Sequence, residues 1–571
     1  MVRATRTAWL VPAIVMLAAA CSSAAPATPA APASGAPSAA PKSLVISIPR
    51  EPTFIAALTP LPAAQATDFY QRMFNAFFEY NDDRGQSQPY LAEALPTLNT
   101  DTWQIFPDGT METRYHLKPN LIWHDGTPLT AADFVFSFNV AKPGNGFRTA
   151  VVPYTLIDDV TASDDRSVTI HWKTLYPDAQ GLIRDTRFGI VPLPRHILEE
   201  PFNQGLEAFQ GSPYWSHEFI GAGPHKLEHW EIGSYIDAVA FDQHVLGRPK
   251  IDRIRLIFIE DQNTAFANML SGTTQVALDS IGFSQMLQLQ QQWAPTNGGT
   301  AGITVSSQAA ALIQHRPEYA DPPAILDVRV RQALAAALDK ETFAETVWAG
   351  KLGVLDTIFS PTADYYPQID RAITKYPYDP RVSERLMNDA GYTRGADGFF
   401  AGPDGKLTFS VQGPQTRPEL PVLGDNWRTA GFDVPQKGLS NTESVDPQVR
   451  SVFPALYINA SSILESQQMA LYSPGEVTTA ENHWRGENYS GWNNPDFGRL
   501  VDAFNVTFDA DERTQQRAQM AKMLTEDVAS IPLTYNPNLY AYVATVQNVT
   551  PVQMMTTGRI TWNIYLWDVA S

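Results

Sequence analysis

The stretch from Ile251 to Leu278 constrains the fold more than any other part of this chain. "IDRIRLIFI" (Ile251 to Ile259) alternates polar and apolar side chains with a period of two, as a half-buried strand does. "DQNTAFANMLSG" then reads as a helix closed by Gly272, and "TTQVAL" follows at once as a second strand. Strand, helix and strand in immediate succession mark an α/β chain. "SLVISI" (Ser43 to Ile48) repeats the two-residue alternation. Asp379 with Pro380 opens a helix over "YDPRVSERLMNDAG". Asp509 with Glu512 forms a capping-box pattern before "RTQQRAQMAKMLTEDVA", with Pro532 as the expected stop of that helix.

A chain of 571 residues, 44% hydrophobic and 18% charged, buries more than one core, because single cores stop growing at about 250–300 residues. Its net charge of −19 is spread along the sequence, which excludes an electrostatic nucleic-acid binder and argues against an anionic membrane surface as partner. Residues 1–20 have the form of a signal peptide: Arg3 and Arg6 precede an apolar run, Ala8 to Ala20, that is too short to span a bilayer. The run ends in "LAAAC", and Cys21 is the sole cysteine, so no intramolecular disulfide forms. A small residue before a cysteine is the form of a bacterial lipobox, here with Leu17 one place further upstream than usual, and Cys21 is expected to carry the lipid. Residues 22–42 are Ala, Pro, Ser, Thr and Gly up to Lys42; they cannot bury enough apolar area to offset ordering and are expected to form a tether. No other segment reaches eighteen apolar residues.

"LIWHDGTPLTAADFVFSF" (Leu121 to Phe138) sets Trp123, His124 and Asp125 side by side, a cluster that could signal catalysis or a metal. The flanks parse as architecture. "METRYHL" (Met111 to Leu117) alternates as a strand, Asp125-Gly126 is a turn pair, and Thr130 with Asp133 caps a helix. His124 is therefore expected in a tight surface connection, making local hydrogen bonds.

The segment from "YLAEALP" through "FPDGTMETRYHLKPNLIWHDGTPLTAADFVFSF" resembles the signature of the family 5 extracellular solute-binding proteins of ABC transporters, which bind dipeptides, oligopeptides or nickel. Four further blocks agree in order: "GAGPHKLEHWEIGS" (with His225 where the family usually has Tyr), "DVRVRQALAAALDK", "YPYDPRVSERLMNDAGY" and "NYSGWNNPDFGRLV". The resemblance implies an α/β, two-lobed clamshell of the large three-domain type with mixed sheets. Domain I would comprise residues 43–88, 212–305 and 537–571, domain II residues 89–211 and domain III residues 306–536. It further implies a monomeric lipoprotein at the outer face of the cell membrane or in the periplasm, which takes up a small solute, in the first instance a peptide, and hands it to ABC permease subunits. An oligosaccharide, an opine or a metal chelate is the alternative cargo, and a surface adhesin on the same fold the alternative role. Arg329 and Arg331 are expected to be solvated or salt-bridged.

"HKLEH" (His225 to His229) fits the H-x-x-E-H pattern of a zinc peptidase. The preceding Gly221, Gly223 and Pro224 and the alternation of "HKLEHWEI" place it on a strand, with His225, Leu227 and His229 on one face and Glu228 pointing away, so the helical ligand geometry is lost. Neither G-x-S-x-G nor a Walker P-loop is present. No enzyme activity, metal or cofactor is expected. Position relative to the family blocks makes Gln314 and Arg316 candidate ligand contacts, together with Trp484, Asn488 and Trp492. Peptide-binding relatives place an aspartate before the Asn-Pro block against the ligand's α-amine; here Phe453 to Gly475 contains no aspartate, and Glu465 is its only carboxylate. Glu465 joins the candidates, with a cavity that does not anchor a free α-amine as the favoured reading.

Overall fold

The computed structural model describes residues 41–58, 68–142, 153–180, 190–552 and 560–570. The leader, Cys21 and nearly all of the tether fall outside them. β1 (Ser43–Ile48) buries Leu44, Ile46 and Ile48. A four-stranded antiparallel sheet follows, built from β2 (Trp103–Ile105), β3 (Met111–His116), β4 (Ile157–Asp164) and β5 (Ser167–Trp172) in the order β2-β3-β5-β4. β3 has the expected alternation, with Met111, Thr113 and Tyr115 inward. Helix α1 (Ala131–Ala141) carries the Thr130/Asp133 capping box, and its Phe134 and Phe138 are fully buried. Phe78 stacks between Tyr115 and Phe134, with centroids 4.2 and 4.0 Å apart. Each such ring stabilises the fold by roughly 1.5–3 kcal/mol through burial.

The chain then enters a ten-stranded mixed sheet through β6 (His225–Glu231), β7 (Tyr235–Ala240), β8 (Arg253–Phe258) and β9 (Val276–Leu278). β10 (Gly299–Ile313), β11 (Val411–Pro414), β12 (Gln436–Leu439), β13 (Leu456–Ser462) and β14 (Ser530–Val543) complete it, in the order β12-β11-β13-β10-β14-β9-β1-β8-β7-β6. α2 (Gln262–Leu270) connects β8 to β9, capped by Asp261 and closed at Gly272, whose φ of +74° lies in the region glycine tolerates. α3 (Pro380–Asp389) is capped by Asp379. α4 (Glu465–Ala470), α5 (Pro495–Val506) and α6 (Ala510–Glu526) follow. Asp509 caps α6, but Pro532 does not stop it: the helix ends at Glu526, the chain reverses at Val528 with φ +46°, and Pro532 lies within β14. Arg329 pairs with Asp327, and the buried Arg331 with Asp527.

Two motifs differ from the sequence expectation. His124 is buried, not on the surface, and its bonds are not local: it accepts from Gly221 N at 3.2 Å and bonds Gly223 O at 2.9 Å. The Trp-His-Asp-Gly turn is thereby tied to the Gly-Ala-Gly-Pro segment before β6. In β6 a bulge between Leu227 and His229 leaves Glu228 as the extra residue. His225 is consequently buried while His229 faces solvent beside Glu231, so the two histidines do not share a face.

The described core residues separate by origin. One large cluster gathers residues 44–278 and 540–567, and a small one at its side gathers residues 265–301 with Ala541. Two others are built wholly from residues 309–535. β10 and β14 run from one set to the other.

Candidate ligand-binding site

The directions of the strands locate the site. β9 is parallel to β1, which is parallel to β8, and the carboxyl end of β9, Leu278, sits opposite Tyr540 of β14. β11, β12 and β13 are also mutually parallel, and the carboxyl end of β13, Ser462, sits opposite Ser307 of β10. Because β10 pairs Gly302 with Tyr540 and Ser307 with Asn536, the two parallel groups run in opposite directions and point their carboxyl ends at each other. The gap between them is crossed by residues 303–306 and 537–539, and the ladder slips there, between Val305 and Ser307. Ligands of open α/β sheets bind outside the carboxyl ends of the strands, so this double set of ends marks a candidate crevice, with the two crossing strands as its floor.

Arg417, three residues past the end of β11, is the cation that most concerns this crevice. Its side chain is 19% exposed, and Nη1 donates to Asn536 Oδ1 at 2.7 Å and to Glu419 Oε1 at 3.3 Å. Asn536 Nδ2 in turn donates to Ser307 Oγ at 3.0 Å, so both crossing strands brace the guanidinium. Nε and Nη2 have no hydrogen-bond partner among the described residues, which leaves two donors suited to a carboxylate. Glu419 is fully buried, and its Oε2 has no hydrogen-bond partner among the described residues. Arg417 was missed in the sequence, where "QTRPEL" reads as an unremarkable loop.

Glu465 lies just past the end of β13, at the start of α4. Both oxygens are engaged: Arg517 Nε and Nη2 donate to Oε1 and Oε2 at 2.8 Å each, and the Tyr365 hydroxyl donates to Oε1. Burial by itself would lower the Arg517 guanidinium, and the Glu465 carboxylate more than offsets it. Burial and then Glu465 drive the Tyr365 phenol well above its usual value.

Gln314, Arg316, Asn488 and Trp492 are brought into one buried cluster that is satisfied from within the protein. Gln314 Nε2 donates to the carbonyls of Ser451 (3.1 Å) and Phe453 (2.7 Å) and its Oε1 accepts from Arg316 Nε at 3.2 Å. Arg316 donates to the carbonyls of Thr478 and Tyr489, both at 2.7 Å, and to that of Ser451. Asn488 donates to Trp492 O at 2.8 Å, and Trp492 Nε1 to Asp527 Oδ2 at 2.5 Å. Trp484 borders the cluster through Tyr319: it is half-buried with φ +60°, its ring is 6.4 Å from that of Tyr319, and the Arg316 guanidinium lies 4.8 Å over the Tyr319 ring. Among the described residues no group of three or more His, Cys, Asp or Glu is placed to hold a metal ion.

Residues 93–479, more than half of the chain, match the family model described as bacterial extracellular solute-binding proteins, family 5 middle. The oligopeptide-binding protein AppA of Bacillus subtilis is 24% identical over 506 residues, covering 87% of this chain and 86% of AppA. Among solved structures, NikZ of Campylobacter jejuni in complex with Ni(L-His) superposes with a TM-score of 0.74 at 22% identity, covering 92% of this chain and 99% of NikZ. AppA of B. subtilis in complex with a nonapeptide gives 0.73 at 20% identity, covering 93% and 100%.

Proposed function

The chain belongs to the bacterial extracellular solute-binding proteins of family 5, and from that premise we propose that it captures a carboxylate-bearing solute, in the first instance a peptide, between its two lobes. Family members are exported solute-binding proteins of ABC transporters, not enzymes, and the two-lobed clamshell is the fold of its structural neighbours. The observation that carries the ligand reading is Arg417: it is braced by both crossing strands and has two unused donors at the crevice. Arg417 meets its own partner, Glu419, through Nη1 alone, whereas Glu465 has both oxygens taken by Arg517, which supports a crevice that recognises a ligand's carboxylate and does not seize an α-ammonium.

In this reading the lobes divide where the core residues divide. Residues 43–88, 212–305 and 537–571 form domain I, 89–211 domain II and 306–536 domain III. Closure bends β10 and β14 at their slipped register, buries the solute and presents a closed surface to the permease. The protein works as a monomer tethered through a lipidated Cys21. A carboxylate-rich metal chelate would satisfy Arg417 equally, and the Ni(L-His) complex of NikZ gives that second reading a footing.

Mass spectrometry of solute released from protein purified after export tests the proposal. A peptide or other carboxylate is expected, and it should be depleted in Arg417→Ala. A neutral sugar retained in full by that variant would contradict it.

A further inference from the structure

We propose that the lobes are latched at a second point, outside the crevice, by Phe508 and Arg513 of domain III against Trp103 and Asp178 of domain II. This rests on the hinge-closure reading above. The corner between α5 and α6 reaches out of its own body: Phe504 belongs to a core built from residues 312–529, whereas Phe508, one turn on in sequence, packs against the large core of the other body with its ring 5.8 Å from Trp103. Close by, Arg513 Nη2 donates to Asp178 Oδ2 at 3.0 Å, and Asp178 is anchored in the opposite body by its neighbour Ala179, which is fully buried there. An apolar contact and an ionic one thus join the same two surfaces independently.

The donor is prepared in advance. Arg513 Nη1 donates to the carbonyls of Phe504 (3.2 Å) and Thr507 (3.3 Å), and its guanidinium lies 3.9 Å over the Phe504 ring. Opening leaves those bonds intact. It frees only the Asp178 carboxylate, already 35% exposed, and one face of Phe508. A partly exposed ion pair and a single aromatic contact are each weak, which suits a contact that is made and broken at every turnover. The latch also lies close to the crevice: Arg517, one turn further along α6 from Arg513, holds Glu465. Closure is therefore favoured by groups that need never touch the solute, and the affinity scales with the fraction of protein they hold closed.

Spin labels on the full chain at Ser163→Cys and Gln515→Cys, both exposed positions, in a Cys21→Ser background report the separation of the two bodies by pulsed electron resonance. A dominant short distance is expected with the latch intact and with Asp178→Glu. A longer population, at least fivefold enriched, is expected in Asp178→Lys combined with Phe508→Ala, with circular-dichroism melts confirming that the variant is folded. An unchanged distribution in that variant, or a long distance already dominant with the latch intact, overturns the proposal. Solute content, measured by mass spectrometry on the same preparations, reports the binding reading separately, so failure of the latch and failure of solute capture give different results.

Discussion

Arg517 grips Glu465 through two parallel contacts, Nε to Oε1 and Nη2 to Oε2, both 2.8 Å, while the Tyr365 hydroxyl closes on Oε1. A carboxylate held in this way by a fork of N–H groups has little left to offer a ligand's ammonium. Any peptide bound here and its N-acetylated form should agree in affinity within about tenfold, or ~1.4 kcal/mol, by calorimetry. A preference of a hundredfold or more for the free amine, abolished by Glu465→Gln, would contradict this.

The same pair sets a stability prediction. Glu465→Gln leaves the Arg517 side chain, 11% exposed, without the carboxylate it pairs with. Breaking one side of a buried pair should lower the unfolding free energy by about 3 kcal/mol, read from urea titrations.

Arg316 offers a comparison. The residue is 7% exposed, and burial lowers its pKa, yet its guanidinium satisfies backbone carbonyls of three separate residues, Ser451, Thr478 and Tyr489. Lysine has a point charge in place of the planar fork, so Arg316→Lys should destabilise the protein by about 3 kcal/mol or more. Comparable stability of the two proteins in urea would show that the cluster is not a structural lock.

Acid should weaken the fold well above the carboxylate range. Burial holds the His124 and His225 imidazoles down at about 3 and His244 at about 4. The unfolded chain takes up protons on these rings below about pH 6.5 while the native state does not, so stability is full above that pH and falls as pH drops toward 4. Each ring should cost about 2 kcal/mol at pH 5 relative to pH 7.5, roughly 6 kcal/mol for the three. Urea titrations at the two pH values check it, and His244→Gln should reduce the difference by about 2 kcal/mol.

Much of the architecture was legible because it is local. Asp379, Asp509 and the Thr130/Asp133 pair cap helices through bonds that span three residues or fewer, so side-chain chemistry at fixed offsets was enough. The alternation of Ser43–Ile48 announced a strand for the same reason. The bulge at Glu228 was not legible, because it arises from pairing with Asp237 and Ala238 and leaves no mark on the alternation of β6 itself. His124 looked like a turn residue because its partners, Gly221 and Gly223, lie almost a hundred positions away. Position relative to the motifs picked out Gln314, Arg316, Trp484, Asn488 and Trp492 as candidate ligand contacts, but not that Gln314, Arg316, Asn488 and Trp492 share one cluster satisfied within the protein. Arg417 and Arg513 stayed hidden, since what distinguishes them is a partner 119 and 335 residues distant, Asn536 and Asp178.

Cys21 should carry two acyl chains, the minimum for a stable anchor. Wild type is then expected in the detergent phase and Cys21→Ser in the aqueous phase on cloud-point separation. Both proteins in the aqueous phase would rule out the lipid.

In the proposed function the solute binds at the facing strand ends and is held by Arg417. Equilibrium unfolding with and without the solute identified by mass spectrometry tests this most directly. At a hundred times its dissociation constant, a solute that binds only the folded protein should raise the unfolding free energy by about 2.7 kcal/mol, and Arg417→Ala should abolish most of that gain at the same concentration. No stabilisation by any released or screened peptide, sugar or chelate would contradict solute capture itself; full stabilisation retained in Arg417→Ala would contradict the site.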